Sequence, residues 1–154
     1  MPFTGRAVPV GRHSPTTSRS APAARSIAFE YLRRDVSGNT LITRQPIGVV
    51  AAIVPWNAPL RSEIKKVIPA LLCGCTVVIK PAPETPFSAA VLAEVCTEAG
   101  VPPGVINVVF GAAETGEALV KHPAVRKIAF TGSTVAGARI ASLASSSFKR
   151  LQLE

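Results

Sequence analysis

Five short apolar segments alternate with four amphipathic segments over residues 47–154. The apolar segments are unbroken runs, whereas the amphipathic segments carry apolar residues at the three- and four-residue spacing of a helix. Predicted strands cover 47–55, 75–80, 105–110, 127–131 and 149–154, and predicted helices cover 60–72, 88–100, 114–122 and 134–145. Unbroken apolar strands that alternate with helices are typical of a parallel sheet covered on both faces. The pattern predicts an α/β fold with a doubly wound, Rossmann-like parallel sheet.

The same spacing predicts which side of two helices faces solvent. In the first predicted helix the apolar stripe leaves these polar residues on the solvent side: Arg61, Glu63, Lys65 and Lys66. In the second, the residues predicted to face the core are Val91, Leu92, Val95 and Ala99.

The first 46 residues lack this regular pattern. Residues 1–26 contain four Pro, four Arg and no acidic residue, which predicts a disordered tail. An Arg- and Ser-rich start without acids is also typical of a mitochondrial transit peptide, although four prolines disfavour the amphipathic helix of such peptides. Residues 27–46 predict a hairpin that turns at Ser37-Gly38-Asn39, with an edge that could pair with another chain. The remaining segment, 47–154, is the predicted domain.

Composition excludes several classes of protein. The net charge of +8 falls mostly on residues 1–46, so the domain itself is only mildly basic and nucleic-acid binding is disfavoured. No apolar run approaches the roughly 20 residues that span a bilayer, so no membrane partner is expected. Three cysteines without a C-x-x-C pair, and only two histidines, predict neither a disulfide framework nor a metal site. A reducing compartment, the cytoplasm, is expected, with the mitochondrion as the alternative.

Residues with chemical potential follow the predicted strands. They are Trp56 and Asn57 after the first strand, Lys80 at the end of the second, Gly116 beyond the third, Gly132 and Ser133 after the fourth, and Glu154 at the end of the fifth. Because the carboxyl ends of parallel strands lie at one edge of a sheet, the pattern predicts a ligand site there.

The residues alone leave each role open. Asn57 fits an amide that donates to an oxyanion, or a helix cap. Trp56 fits a cover for a planar cofactor or a packing residue, and Lys80 a ligand-facing or a solvated lysine. The turn at Ser133 fits phosphate binding or ordinary capping, and Glu154 fits a general base or an exposed carboxylate.

Five segments together resemble the NAD(P)-dependent aldehyde dehydrogenase superfamily, in the same order. They are PIGVVAAIVPWNAPL, ALLCGCTVVIKPAPETP, EAGVPPGVINVVFG, KIAFTGSTVAG and KRLQLE. The resemblance runs from about Gln45 to Glu154, more loosely back to Phe29, and residues 1–25 are expected to match nothing in the family. It implies the N-terminal, cofactor-binding part of that fold, which binds NAD or NADP.

The resemblance also implies residue roles. Asn57 would stabilise the thiohemiacetal oxyanion, and Glu154 would activate the water that hydrolyses the thioester. The residues implied to contact the cofactor are Val54, Trp56, Lys80, Gly116, Gly132 and Ser133. Among these, Lys80 would hydrogen-bond the adenosine ribose, Gly116 would lie near the adenine, and Gly132 and Ser133 would contact the pyrophosphate.

Some features depart from the family pattern. Many members carry a glutamate that binds ribose hydroxyls where this chain has Pro83, with Glu84 one position later, so the preference between NAD and NADP stays open. The family's catalytic cysteine lies beyond the segment that contains Glu154, so a truncated chain that is inactive alone is expected. The whole enzyme would oxidise an aldehyde to a carboxylic acid, as a homo-oligomer or with a separate catalytic-domain fragment. The alternative is a non-catalytic dinucleotide-binding or interaction module.

Overall fold

The computed structural model describes residues 24–36 and 38–154, and the chain divides after Pro46 into two units. In the first unit, strands β1 (Glu30–Asp35) and β2 (Gly38–Thr43) form an antiparallel hairpin. Because β2 begins at Gly38, Gly38 and Asn39 lie in a strand and not in the predicted turn. Of the predicted disordered tail over 1–26, residues 24–26 are helical, and residues 1–23 lie outside the described residues.

The second unit contains five strands and four helices in alternation. The strands are β3 (Val49–Ile53), β4 (Thr76–Lys80), β5 (Ile106–Val108), β6 (Val125–Phe130) and β7 (Arg150–Leu153). The helices are α1 (Pro59–Leu72), α2 (Phe87–Glu98), α3 (Ala113–Lys121) and α4 (Thr134–Ser145). Each element lies within a few residues of the segment that the apolar pattern predicts.

The five strands form one parallel sheet in the order β5-β4-β3-β6-β7. The second unit therefore begins with the central strand β3 and continues outwards through β4 to β5. The chain then returns to place β6 and β7 on the other side of β3. This order is that of a doubly wound sheet, so the predicted fold class is confirmed.

The two faces of the sheet carry separate cores. On one face, α1 and α2 pack over a cluster that includes Val67, Val77 and Ile79. On the other face, α3 and α4 pack over a cluster that includes Val120 and Ile128. Since both faces are covered, the strands are apolar on both sides, which explains their unbroken apolar sequence.

Two predicted helix faces are wrong in part, although Leu92 is buried and Arg61 and Lys65 are exposed as predicted. In α2, Val91 and Val95 are 54% and 53% exposed, while Ala89, Leu92 and Cys96 face the core. This helix is apolar on most of its surface, so residue spacing does not fix its rotation.

In α1, Glu63 and Lys66 are buried and not on the solvent side, with relative exposures of 0% and 5%. Both side chains have polar partners on other elements, as described below. Burial of a charged residue depends on such partners, which helical periodicity does not reveal.

Ile128 tests the packing of the second core. Its side chain is completely buried in the middle of β6. Replacing it with alanine (Ile128→Ala) should lower the free energy of unfolding by about 2–5 kcal/mol, because the change removes buried apolar contacts and leaves a cavity. Urea denaturation measures this loss. The matched control, Val135→Ala on the exposed face of α4, should change the value by less than about 0.5 kcal/mol, and an equal effect of both would contradict the described packing.

Candidate functional site

The loops that follow the strands gather at one edge of the sheet. β3 lies between β4 and β6, and its crossover leads to α1 on one face, whereas the helices after β5 and β6 lie on the opposite face. Loops from the two sides therefore diverge at the carboxyl ends of β3 and β6, which is where doubly wound sheets leave a crevice.

Lys80 is a buried cation at this edge. Its relative exposure is 6%, and its Nζ donates a 2.8 Å hydrogen bond to the Pro81 carbonyl oxygen. Burial lowers the pKa of Lys80, against the opposing effect of Glu84 and Glu114. The interpretation of Lys80 as a solvated strand end is therefore wrong.

Val54 and Gly116 lie beside this lysine. The Val54 N–H donates to the Lys80 carbonyl oxygen at 3.2 Å, which continues the pairing of β3 and β4 by one residue. A Cβ atom placed on Gly116, in α3, would lie 3.6 Å from Lys80 Cδ and 4.0 Å from Ile53 Cδ1. The lysine stem thus runs from β4 towards the first turns of α3, where the buried Gly116 packs against it.

Gly132 and Ser133 form the turn from β6 into α4. A Cβ atom on Gly132 would lie 2.5 Å from Phe130 Cζ, so any side chain there would displace a buried ring. Ser133 is the N-cap of α4, and its Oγ accepts a 3.2 Å hydrogen bond from the Ala136 N–H. Ordinary capping by Ser133 is therefore present, and the helix N-terminus that it caps is favourable for an anion.

Glu154 lies next to this turn, and its carboxyl group contacts three other side chains. Its Oε2 accepts a 3.2 Å hydrogen bond from Thr131 Oγ1 and lies 3.6 Å from Lys66 Nζ, and its Oε1 accepts from Gln152 Nε2 at 2.8 Å. The Gly132 N–H donates to the Glu154 carbonyl oxygen at 3.1 Å. The hydrogen bond from Gln152 and the charge of Lys66 hold the pKa of Glu154 below its ordinary value, so the carboxylate form is favoured.

Lys66 is a site residue that sequence reasoning missed. Its side chain is 1% exposed, whereas that of Glu154 is 48% exposed. Burial lowers the pKa of Lys66 more than the neighbouring Glu154 raises it. The position of Lys66 beside Val67, at the border of the apolar stripe, is the available signal, but its partner Glu154 follows β7, far along the chain.

Trp56 and Asn57 lie in the loop that follows β3. Trp56 is 62% exposed, so most of its side chain is accessible to solvent. Asn57 is exposed, and the N-cap of α1 is Ala58, followed by Pro59, without a side-chain cap hydrogen bond. The interpretation of Asn57 as a helix cap is therefore wrong, and both side chains are accessible at the carboxyl end of β3.

An apolar cavity of about 390 Å³ lies at the carboxyl ends of β4 and β5. Its walls are the loop after Lys80, the first residues of α2, and Phe110 and Gly111. The cavity adjoins Pro81, which accepts the hydrogen bond from Lys80.

The cysteines lie elsewhere. Cys73 and Cys75 come just before β4, at the amino edge of the sheet, and Cys96 is on α2. Burial raises the pKa of the Cys96 thiol, which disfavours its reactive thiolate form.

Within residues 24–36 and 38–154, no group of His, Cys, Asp and Glu could hold a metal ion. No helix in the same ranges is long and apolar enough to cross a membrane.

The residues around Lys80 fit a ligand that carries hydroxyl and phosphate groups. An ammonium group has three N–H donors, and the only hydrogen bond of Lys80 Nζ within the described part of the chain is the one to Pro81. The donors left over lie in a buried position where acceptors would be bound strongly. The N-terminus of α4 fits the same kind of ligand.

Comparison with known proteins identifies relatives of one kind. A model of the aldehyde dehydrogenase family matches residues 6–154. Phenylacetaldehyde dehydrogenase of Pseudomonas fluorescens is 54% identical over 121 residues, which cover 78% of this chain and 24% of that protein. Succinate-semialdehyde dehydrogenase (NADP+) of Escherichia coli strain K12 is 50% identical over 115 residues, which cover 74% of this chain and 24% of that protein.

Solved structures give the same result. The crystal structure of a Mycobacterium tuberculosis aldehyde dehydrogenase complexed with NAD+ superposes with a TM-score of 0.86 at 43% identity, over 90% of this chain and 29% of that one. The chain thus spans about a quarter of the length of the relatives that it matches. Because the family match begins at residue 6, the expectation that residues 1–25 match nothing is wrong.

The contact between Lys66 and Glu154 predicts a change in titration. Lys66→Met keeps the apolar stem and removes the charge, so the pKa of Glu154 should rise. A lowered folded-state pKa stabilises the fold above the carboxyl's unfolded pKa of about 4.3, and that contribution is lost as the pH falls through the folded value. The variant should therefore lose less stability on acidification. Carboxyl NMR titration measures the shift, and the exposed neighbour provides the control Lys65→Met, which should change it less. An unchanged Glu154 pKa in Lys66→Met would refute the contact.

Proposed function

The chain belongs to the aldehyde dehydrogenase family, and we propose that it forms the dinucleotide-binding part of an enzyme that oxidises an aldehyde to a carboxylic acid with NAD+ or NADP+. The observation that carries this proposal is Lys80, a buried ammonium group with unused donors at the carboxyl edge of a doubly wound sheet. The names of the relatives support the cofactor class, since one structure holds NAD+ and one relative is named for NADP+.

The cofactor would occupy the edge between β4 and β6. Lys80 would donate to the ribose hydroxyl groups, and Gly116 would lie near the adenine. The turn of Gly132 and Ser133 would contact the pyrophosphate, because the N-terminus of α4 favours negative charge there. Val54 and the exposed ring of Trp56 would line the same cleft. When bound, the dinucleotide supplies the hydride acceptor that aldehyde oxidation needs.

Two residues of this chain would serve the chemistry directly. Asn57 is exposed beside the cleft, and its amide would donate a hydrogen bond to the oxyanion that develops on the aldehyde oxygen. Glu154 is held as a carboxylate by Gln152 and Lys66, and it would accept a proton from the water that attacks the acyl group. The charge of Lys66 lowers the pKa of Glu154, so the carboxylate stays ionised but is a weaker base.

The nucleophile is proposed to lie outside these 154 residues. Cys73 and Cys75 lie at the amino end of β4, the length of that strand away from Lys80, and Cys96 is buried on α2. This observation also favours the second candidate function, a dinucleotide-binding module that does not catalyse. The aldehyde would be the substrate of the whole enzyme, with a homo-oligomer or a separate catalytic fragment as its partner, and the cytoplasm stays the predicted compartment.

Lys80 tests cofactor binding. NADH should bind the 154-residue chain weakly, and Lys80→Met should weaken it by about tenfold or more, because hydrogen bonds from a charged group are lost. NADH fluorescence and the quenching of Trp56, the single tryptophan, measure the dissociation constant. The control Lys65→Met alters an exposed lysine on α1 and should leave binding unchanged. Failure of the unaltered chain to bind NADH or NADPH would overturn the proposed function.

The cysteine positions generate a separate prediction. The 154-residue chain should not reduce NAD+ or NADP+ in the presence of an aldehyde, because none of its three thiols lies at the carboxyl edge of the sheet. The measurement is the increase in absorbance of NADH or NADPH when the chain is incubated with the oxidised cofactor and each of a series of aldehydes. Turnover that disappears in Cys73→Ala, Cys75→Ala or Cys96→Ala would show that one of these thiols is the nucleophile.

A further inference from the structure

Glu63 is a fully buried carboxyl group that the proposed function does not use. Its Oε1 accepts a 2.8 Å hydrogen bond from Ser88 Oγ, and its Oε2 is buried without a hydrogen-bond partner among the described residues. Burial raises the pKa of Glu63, against the effect of the Ser88 hydrogen bond. A buried carboxyl group with an unpartnered oxygen costs folding free energy, and such costs are characteristic of positions under functional constraint.

The partner of Glu63 lies in the first turn of α2. This helix has Pro86 as its N-cap, with no side-chain cap hydrogen bond and no acidic residue in its first turn. Ser88 Oγ lies 2.8 Å from Glu63 Oε1 and 3.3 Å from the Thr85 carbonyl oxygen. A carboxyl group is favourable beside a helix N-terminus. Glu63 of α1 therefore supplies the carboxyl group that the first turn of α2 does not contain.

The loop over residues 81–86 connects this contact to Lys80. Three of its six residues are the prolines Pro81, Pro83 and Pro86, which fix backbone φ angles and make the loop stiff. Lys80 donates to the Pro81 carbonyl oxygen at one end of the loop, and Ser88 donates to Glu63 just beyond the other. We therefore expect a displacement at Ser88 to move this loop and the Pro81 carbonyl oxygen that accepts from Lys80.

On the basis of the dinucleotide-binding function proposed above, we propose that Glu63 is a positioning residue for the cofactor site. Through Ser88 it holds the loop 81–86, and with it Lys80, in the arrangement that binds the dinucleotide. Glu63 and Ser88 lie on helices α1 and α2, and neither belongs to a strand of the parallel sheet.

Variants of the 154-residue chain test this role. Glu63→Ala and Ser88→Ala should each raise the dissociation constant of NADH by about 2- to 30-fold, the usual range for residues that act through others. The double variant should show no larger effect, because both changes break one contact. Glu63→Gln keeps the acceptor for Ser88 and should bind NADH within about twofold of the unaltered chain. Circular dichroism and a urea titration establish that each variant is folded under the binding conditions.

The Lys80→Met background separates positioning from general weakening. Adding Glu63→Ala to Lys80→Met should cause no further loss of NADH affinity, since Glu63 acts through Lys80, whereas a merely structural effect would add to it. The matched control Glu98→Gln removes an exposed carboxylate from α2, the helix that carries Ser88, and should leave the affinity for NADH unchanged. Hydrogen exchange over residues 82–89 should accelerate in Glu63→Ala with or without NADH.

The outcomes distinguish the two proposals. If the unaltered chain binds NADH but Glu63→Ala binds it equally well, the positioning role is overturned and the proposed function stands. If the losses in Glu63→Ala and Lys80→Met add, the positioning role is likewise overturned. If the unaltered chain binds no dinucleotide, the proposed function fails, and the role of Glu63 in binding fails with it.

Discussion

The central place of β3 in the sheet is the constraint on which the rest of the geometry depends. Val50 to Ile53 are at most 8% exposed, so this strand is stable only with a neighbour on each side and a helix layer on each face. Its pairing with β4 and β6 sends the chain outwards in both directions. The crevice between the diverging loops follows from that pairing and needs no special residue.

Two buried lysines flank this crevice, and they differ in their polar partners. Lys66 lies beside the carboxylate of Glu154, so part of its desolvation cost is offset within the chain. Lys80 has only a carbonyl oxygen as its partner, with Glu84 and Glu114 acting at a distance. An ammonium group that is buried without a direct counter-charge retains the capacity to bind acceptors. This asymmetry is why the proposed function assigns ligand binding to Lys80 and not to Lys66.

Much of the fold follows from local sequence, because a parallel strand covered on both faces is an unbroken apolar run whatever its neighbours are. The start of α1 is harder to predict from the sequence. Asn57 is a typical cap residue, but Pro59 fixes the first turn and leaves Ala58 at the cap. The rotation of α2 could not be predicted, because Val91 and Val95 are as apolar as the residues that face the core. Periodicity measures polarity along a helix, and it carries no information about partners on distant elements.

The buried polar residues of α1 show what such partners achieve. Glu63 contacts the first turn of α2, and Lys66, three residues later, contacts Glu154 beyond the far strand. The two contacts point to opposite sides of the crevice, and Val67 anchors the helix between them in the core. A single rigid element therefore sets the position of the loop after Lys80 and the environment of Glu154 together. Polar residues at these two positions are costly for packing, but apolar residues would leave α1 free to rotate relative to both sides of the site.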